Sequence, residues 1–129
     1  MKIATVLLFF FTAAIGYADE AGEVKNVDAE KAKGLLADKE KNIVVLDVRT
    51  PEEYKEGHIR DAKLVNFRAE DFESKLGELD KSKSYLVHCR SGGRSSAALE
   101  AFKKLGFKSI YHLDGGMLAW QQAGGEVVK

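Results

Sequence analysis

The feature that most limits the fold of this chain is the aliphatic, largely β-branched run from Ile43 to Val48. Such a run is typical of a strand that is covered on both faces of a parallel sheet. Strand-like and helix-like segments alternate along the rest of the chain, which predicts an α/β fold with a mostly parallel sheet. Further strands are predicted at Val24–Val27, Leu64–Phe67, Tyr85–Cys89 and Ile110–His112, and helices at Ala29–Ala37, Glu52–Lys55, Glu70–Leu79, Ser95–Leu105 and Gly116–Gln122.

The first eighteen residues are typical of a secretory signal. Lys2 precedes the apolar run Ile3–Ile15, and the small residues Gly16 and Ala18 follow it. The run is shorter than the roughly 17–25 residues of a membrane-spanning helix. We expect cleavage after Ala18, which leaves residues 19–129 as one exported domain without membrane contact, periplasmic in a Gram-negative source and otherwise secreted. An uncleaved anchor or a buried helix is the alternative.

The composition of the chain argues against several classes of function and kinds of site. Twenty Lys and Arg balance twenty Asp and Glu, so the chain lacks the net positive charge expected of a nucleic-acid binder. The single cysteine, Cys89, excludes a disulfide within the chain, and with three scattered histidines it excludes a structural zinc site. We expect neither a metal nor a cofactor. The lone thiol could form an intermolecular bridge, react as a nucleophile, or lie buried and inert.

The surroundings of Cys89 favour a reactive thiol. Segment Cys89–Ser95 leaves a predicted strand and enters a predicted helix. Gly92 and Gly93 allow a tight turn whose N–H groups point inward, and such a nest binds anions and favours a thiolate. Arg90 and Arg94 strengthen this field. A cation in the first turn of a helix opposes the helix dipole by a few tenths of a kcal/mol, so an arginine there indicates a bound anion.

Charged residues also interrupt the end of the Ile43–Val48 run. For Asp47 and Arg49 we favour a buried ion pair that links adjacent loops over a direct catalytic role. His58 is interpreted as a hydrogen-bonded structural histidine. His88 precedes Cys89 in a strand, so the two side chains are expected on opposite faces of the sheet.

The chain resembles the rhodanese family of sulfurtransferases, and in particular its small, exported, single-domain members. Three segments carry the resemblance: LDVRTPEEY at Leu46–Tyr54 with Gly57–Ile59 after it, CRSGGRS at Cys89–Ser95, and LDGGMLAW at Leu113–Trp120. The resemblance implies a parallel sheet of about five strands with helices on both faces. It also implies a sulfurtransferase in which the Cys89 thiolate takes sulfur from thiosulfate or a similar donor as a persulfide.

The resemblance further implies roles for residues around Cys89. A small anionic donor would be held by the loop, and a thiol, a dithiol or cyanide would accept the sulfur. Asp47, Arg49 and His58 would support the site. Independently of the resemblance, we expect the protein to act as a monomer. The expected donor-binding residues are Arg90, Ser91, Gly92, Gly93, Arg94 and Ser95.

Two other functions stay open. Cysteine phosphatases and arsenate reductases also place a thiolate and an arginine around an anion. A tyrosine-phosphatase loop has five residues between them, whereas four separate Cys89 from Arg94. A non-catalytic sulfur carrier or binding module is the second alternative, and the presence of Cys89 with its whole loop weighs against it.

Overall fold

The computed structural model describes residues 22–129. The predicted signal segment 1–18 and its cleavage site lie outside these residues. Within the described part, every helix is too short or too polar to cross a membrane.

A five-stranded sheet in which all neighbouring strands are parallel organises the fold, as predicted. The strands are β1 Glu23–Val27, β2 Val44–Asp47, β3 Lys63–Leu64, β4 Ser84–His88 and β5 Ser109–Leu113. The strand order β1-β5-β4-β2-β3 places β4 at the centre of the sheet. The loop that follows β4 therefore emerges in the middle of the carboxyl edge, where α/β folds carry their sites.

Helices cover both faces of the sheet, again as predicted, and each face has its own apolar cluster. The helices are α1 Ala29–Ala37, α2 Pro51–Glu56, α3 Phe72–Gly77, α4 Gly93–Lys104 and α5 Gly116–Gln122, and a short 3-10 helix spans Lys39–Lys41. Tyr85 and Val87 of β4 pack on the face of α3 and α4, whereas Leu86 packs on the face of α1 and α5. Leu86 is fully buried, and burial of such a side chain contributes about 1.5–3 kcal/mol.

Three predicted elements have a boundary that lies two or more residues from the observed one. Helix α3 is shorter than Glu70–Leu79, and Asp71 makes no side-chain cap. The third strand was predicted at Leu64–Phe67, but only Lys63–Leu64 pairs with β2. The N–H groups of Val65 and Phe67 still donate to the carbonyls of Asp47 and Val48. Helix α4 begins two residues before Ser95, because Gly92 at φ +117° turns the chain into the helix early.

The start of α5 is fitted against the loop that follows β4. The N–H of Met117 donates to the carbonyl of Cys89 at 2.9 Å, and the N–H of Leu118 donates to that of Arg90 at 3.1 Å. Gly116 precedes them with φ +58°, and a Cβ there would stand 2.6 Å from both carbonyl oxygens. Only glycine allows this approach.

We predict that Gly116→Ala destabilises the protein by more than about 1 kcal/mol, because alanine strains the positive φ and collides with backbone oxygens. Gly34→Ala is the matched control, since the Cβ at this position in α1 meets nothing within 4 Å. It should instead stabilise by about 0.5–1 kcal/mol through helix propensity. Urea unfolding measures both changes. Equal stabilities of Gly116→Ala and wild type would contradict the close packing of α5 on the loop.

Candidate active site

Cys89 lies directly after β4, and its sulfur is surrounded by hydrogen-bond donors. The Gly92 N–H stands 3.1 Å from Sγ, and the Ser95 hydroxyl stands 3.3 Å away. Cys89 is 1% exposed and shares a cluster with Tyr85 and Val87. A sulfur at this depth is out of reach of a cysteine on the surface of another protein, so an intermolecular disulfide is disfavoured.

These donors determine the ionisation of the thiol. Burial raises the pKa of Cys89, but hydrogen bonds from the Ser95 hydroxyl and from the N–H groups of Ser95, Gly92 and Ser91 lower the pKa by more. The net pKa lies below its usual value, so the thiolate is favoured. A buried, inert thiol would show the opposite shift. The nest inferred from the sequence is therefore present and acts on the sulfur.

Arg94 is held by a residue that the sequence analysis did not single out. Its Nη1 and Nη2 donate to the two carboxylate oxygens of Glu53 at 2.6 and 2.9 Å. Glu53 also forms a capping box with Thr50 at the start of α2. The hydrogen bond from Arg94 is the main reason why the pKa of Glu53 is lowered to about 2, with burial opposing and Thr50 assisting. Part of the charge of Arg94 is therefore neutralised within the protein.

Arg90 is placed differently. Its side chain is exposed and makes no hydrogen bond or ion pair with residues 22–129. It lines an open cavity of about 250 Å³ together with Arg49, Glu53, Met117 and Leu118. Of the two loop arginines, Arg90 is thus the one whose guanidinium is available to a bound anion.

Asp47 and Arg49 form the buried ion pair that the sequence predicted. Nη2 of Arg49 donates to Oδ2 of Asp47 at 2.7 Å and to the Gly57 carbonyl at 2.8 Å. Both side chains are at most 6% exposed. The pair ties the end of β2 to the chain after α2, so it supports the site without touching the sulfur.

The two histidines that the sequence analysis discussed have structural contacts. Nδ1 of His58 lies 2.9 Å from the carbonyl of Tyr54, and the two rings stack at 3.7 Å. His88 is fully buried on the sheet face opposite Cys89, and its Nδ1 lies 2.9 Å from the Cys89 carbonyl. Burial lowers the pKa of His88.

His112 is the residue that sequence reasoning missed. Its Nε2 lies 2.7 Å from the Ser95 hydroxyl, and its Nδ1 lies 2.9 Å from Oδ1 of Asn26. His112 and Asn26 belong to β5 and β1, which are far apart in the chain and paired only in the sheet. No local pattern signals this contact. Among residues 22–129 no group of three or more His, Cys, Asp or Glu side chains is arranged to hold a metal ion.

A family comparison agrees with this geometry. Residues 28–123 match the profile of the rhodanese-like domain. The chain belongs to the rhodanese family. A rhodanese-related protein of Thermoplasma volcanium has the same fold, with a TM-score of 0.71, 31% identity, and coverage of 81% of this chain and 97% of that protein.

Two relatives carry names that state an activity. The putative sulfurtransferase YtwF of Bacillus subtilis is 38% identical over 77% of this chain and 92% of its own length. Thiosulfate sulfurtransferase 18 of Arabidopsis thaliana is 34% identical over 83% of this chain and 85% of its own length. The chain spans only 30% of two longer Mycobacterium tuberculosis relatives, each named a probable adenylyltransferase/sulfurtransferase MoeZ. Together these relatives support sulfurtransferase activity in general.

The Glu53–Arg94 pair predicts a pH-dependent stability. The pKa of Glu53 is depressed from 4.5 to about 2 in the folded protein, so its contribution is present above pH 4.5 and is lost as the pH falls towards 2. We expect Glu53→Gln to destabilise by about 1 kcal/mol at pH 7, and the difference from wild type to shrink between pH 4.5 and 2. Urea unfolding at several pH values measures it.

Glu52→Gln is the control, because Glu52 is exposed and makes no hydrogen bond or ion pair with described residues. Its stability difference from wild type should stay small and constant with pH. A constant difference for Glu53→Gln as well would show that the ion pair does not form in solution.

Proposed function

We propose that this chain is an exported sulfurtransferase that moves sulfane sulfur from thiosulfate, or a similar anionic donor, to a thiophilic acceptor through a persulfide on Cys89. The observation that carries the proposal is the sulfur of Cys89 held among N–H groups and a hydroxyl at the start of α4, with a lowered pKa. The names of the relatives support sulfurtransferase activity, and the N–H groups and Arg90, which favour anions, support an anionic donor such as thiosulfate.

In the first half-reaction the Cys89 thiolate attacks the outer sulfur of thiosulfate. The new S–S bond forms as the bond between the two thiosulfate sulfurs breaks, and sulfite leaves with the electron pair of that bond. The total charge of −3 is the same before and after the step. The product is a persulfide anion on Cys89 together with free sulfite.

The loop favours this step because it stabilises negative charge near Cys89. The N–H groups of Ser91, Gly92 and Ser95 lower the pKa of the thiol, and their dipoles are already oriented before a substrate arrives. The same donors are suited to a persulfide, whose charge lies on the adjacent sulfur. Arg90, whose guanidinium has no partner among residues 22–129, supplies a cation at the cavity mouth for the sulfonate oxygens of the donor.

In the second half-reaction a nucleophilic acceptor attacks the outer sulfur of the persulfide. A thiol, a dithiol or cyanide takes the sulfur, and the Cys89 thiolate is the leaving group. The cavity beside Arg90 is open and lined by the exposed Leu118 as well as charged groups, so it admits small acceptors of several kinds. The cycle needs neither a metal nor an organic cofactor.

The phosphatase alternative is disfavoured by Arg94. In a phosphatase-type site the loop arginine has to hold the oxygens of the transferred group, but both terminal nitrogens of Arg94 already donate to Glu53. The loop is also one residue shorter than a tyrosine-phosphatase loop. Both features suit a single sulfur atom better than a phosphoryl group.

Export completes the proposal. The signal-like segment 1–18 supports export to the periplasm or the exterior. A free N-terminus at residue 19 in protein recovered from that compartment would test cleavage after Ala18. The roughly balanced charge supports a protein that acts on small molecules rather than on nucleic acid.

The first functional prediction concerns the intermediate. Incubation of the purified protein with thiosulfate should add about 32 Da, the mass of the one sulfur atom that the covalent intermediate retains. Intact-mass spectrometry and peptide mapping should place it on Cys89, and cyanide should remove it. Cys89→Ser should gain no mass and lose transfer. An unmodified wild-type protein that hydrolyses an aryl phosphate would instead support the phosphatase.

The second prediction concerns donor binding. We expect Arg90→Ala to raise KM for thiosulfate by about tenfold, because it removes one charge-assisted contact worth about 1.5 kcal/mol. The effect on kcat should be small. Lys103→Ala removes the same charge from the exposed far end of α4 and should leave KM unchanged. An Arg90→Ala enzyme with the KM of Lys103→Ala would remove Arg90 from the donor site.

A further inference from the structure

Behind Cys89 runs a chain of hydrogen bonds that the sulfur-transfer steps above do not use. Oγ of Ser95 lies 3.3 Å from the sulfur and 2.7 Å from Nε2 of His112, and Nδ1 of His112 lies 2.9 Å from Oδ1 of Asn26. Ser95 is fully buried and His112 is 4% exposed. The four side chains come from the loop after β4, α4, β5 and β1, so the tertiary fold alone assembles them.

The acceptor on Asn26 determines the tautomer of His112. Oδ1 of an amide has no hydrogen, so Nδ1 of His112 carries the hydrogen between them. The Nε2 of a neutral imidazole then has a lone pair, and this lone pair faces the Ser95 hydroxyl. A histidine held in this way is arranged to receive a proton at Nε2.

Ser95 has one hydroxyl hydrogen and three acceptors around it. These are Nε2 of His112 at 2.7 Å, the Gly92 carbonyl at 3.2 Å and the Cys89 sulfur at 3.3 Å. The shortest distance favours donation to His112. The lone pairs of the hydroxyl oxygen are then available to the S–H of Cys89.

We propose that His112, positioned by Asn26, accepts the thiol proton of Cys89 through the Ser95 hydroxyl. This proposal rests on the function proposed above, in which Cys89 reacts as a thiolate. The S–H bond breaks as its proton moves to Oγ, and the proton already on Oγ moves to Nε2. The products are a thiolate, an unchanged serine and an imidazolium, so atoms and charge balance without a co-reactant.

Every hydrogen bond in the chain also fits the state after transfer. Nε2–H then donates to Ser95 Oγ, the Ser95 hydroxyl donates to the thiolate, and Nδ1–H still donates to Asn26. One hydroxyl separates the two new charges, so each stabilises the other. His112 touches neither substrate nor sulfur, and it is therefore a positioning residue that acts through Ser95.

Burial and nearby charges have opposite effects on a positive charge at His112. Burial lowers the pKa of His112, and the carboxylate of Asp114, which follows β5, opposes that shift. The charge of Arg94 on α4 interacts favourably with a Cys89 thiolate. Lys25 on β1 and Tyr111 on β5 alternate with Asn26 and His112 along their strands, so the charge of Lys25 lies on the opposite face of the sheet. A thiolate at Cys89 is the partner that offsets burial of the imidazolium.

The test follows both protonation sites in the complete domain without sulfur transfer. The rate of Cys89 alkylation by iodoacetamide, measured from pH 4 to 10, reports the thiolate. Imidazole ¹⁵N shifts report His112. His112→Gln keeps a hydrogen-bonding side chain that cannot take a proton, and it should raise the apparent pKa of Cys89 by about one unit, a roughly tenfold loss of the alkylation rate in the region where the rate still rises with pH. Ser95→Ala should shift the pKa in the same direction, and Ser95→Thr should restore it.

Cys89→Ser supplies the reciprocal measurement. Without the thiolate, the pKa of His112 should fall, and by the same amount as the Cys89 pKa rises in His112→Gln, because the coupling between two sites is symmetrical. Tyr111→Phe, which alters the other face of β5, should change neither titration. If His112→Gln fails to fold, the comparison of His112 shifts in wild type and Cys89→Ser decides the question alone.

The outcomes separate the two proposals. Equal His112 titrations in wild type and Cys89→Ser, or overlapping alkylation profiles of wild type and a folded His112→Gln, would overturn the proton relay. Absence of the sulfur adduct on Cys89 in a protein with coupled titrations would overturn the sulfur transfer instead.

Discussion

The site depends on how the backbone after β4 is held from two sides. The carbonyl oxygens of Cys89 and Arg90 accept hydrogen bonds from the start of α5, while the amide of Gly92 donates to the Cys89 sulfur. The loop therefore presents its acceptors to one helix and its donors to the thiol. Gly92 permits the turn and Gly116 permits the approach of α5. Both have a positive φ, which a residue with a side chain adopts only under strain. A lowered thiol pKa follows from this arrangement, because the donors outweigh the effect of burial.

Two ion pairs neutralise charged side chains around the loop. Asp47 and Arg49 satisfy one another beneath the surface and fix the chain after α2, while Glu53 of α2 holds Arg94 of α4. Such pairs contribute less to net stability than to the arrangement of the elements they connect, because desolvation offsets much of their attraction. They leave Arg90 as the loop cation without a partner in the described part of the chain. The field at Cys89 thus comes mainly from oriented dipoles, supplemented by a partly neutralised arginine.

Much of the fold was readable from local patterns. Ile43–Val48 predicted a doubly covered strand, and the structure buries it in the interior of a parallel sheet. The starts of α1 and α2 lie within one residue of the predicted ones, because Asp28 caps α1 and Pro51 opens α2, and both act within a few residues of themselves. The starts of α3 and α4 were predicted less well. Helix α3 begins without a side-chain cap from Asp71, and the left-handed φ of Gly92 starts α4 two residues early. The loop composition also predicted inward-pointing N–H groups, and the Gly92 N–H does donate to the Cys89 sulfur.

The sequence by itself determined the order of strands and helices, the place of the single thiol at the end of one strand, and the residues of the Cys89–Ser95 loop. These properties follow from side-chain periodicity and from turns that span only a few residues. Tertiary structure alone decided that Glu53 neutralises Arg94, that Arg90 faces an open cavity, and that His112 and Asn26 stand behind Ser95. The physical reason is that a hydrogen bond between strands depends on sheet order and register. Here β1 pairs with β5 across more than 80 residues of chain, and no local pattern encodes that pairing.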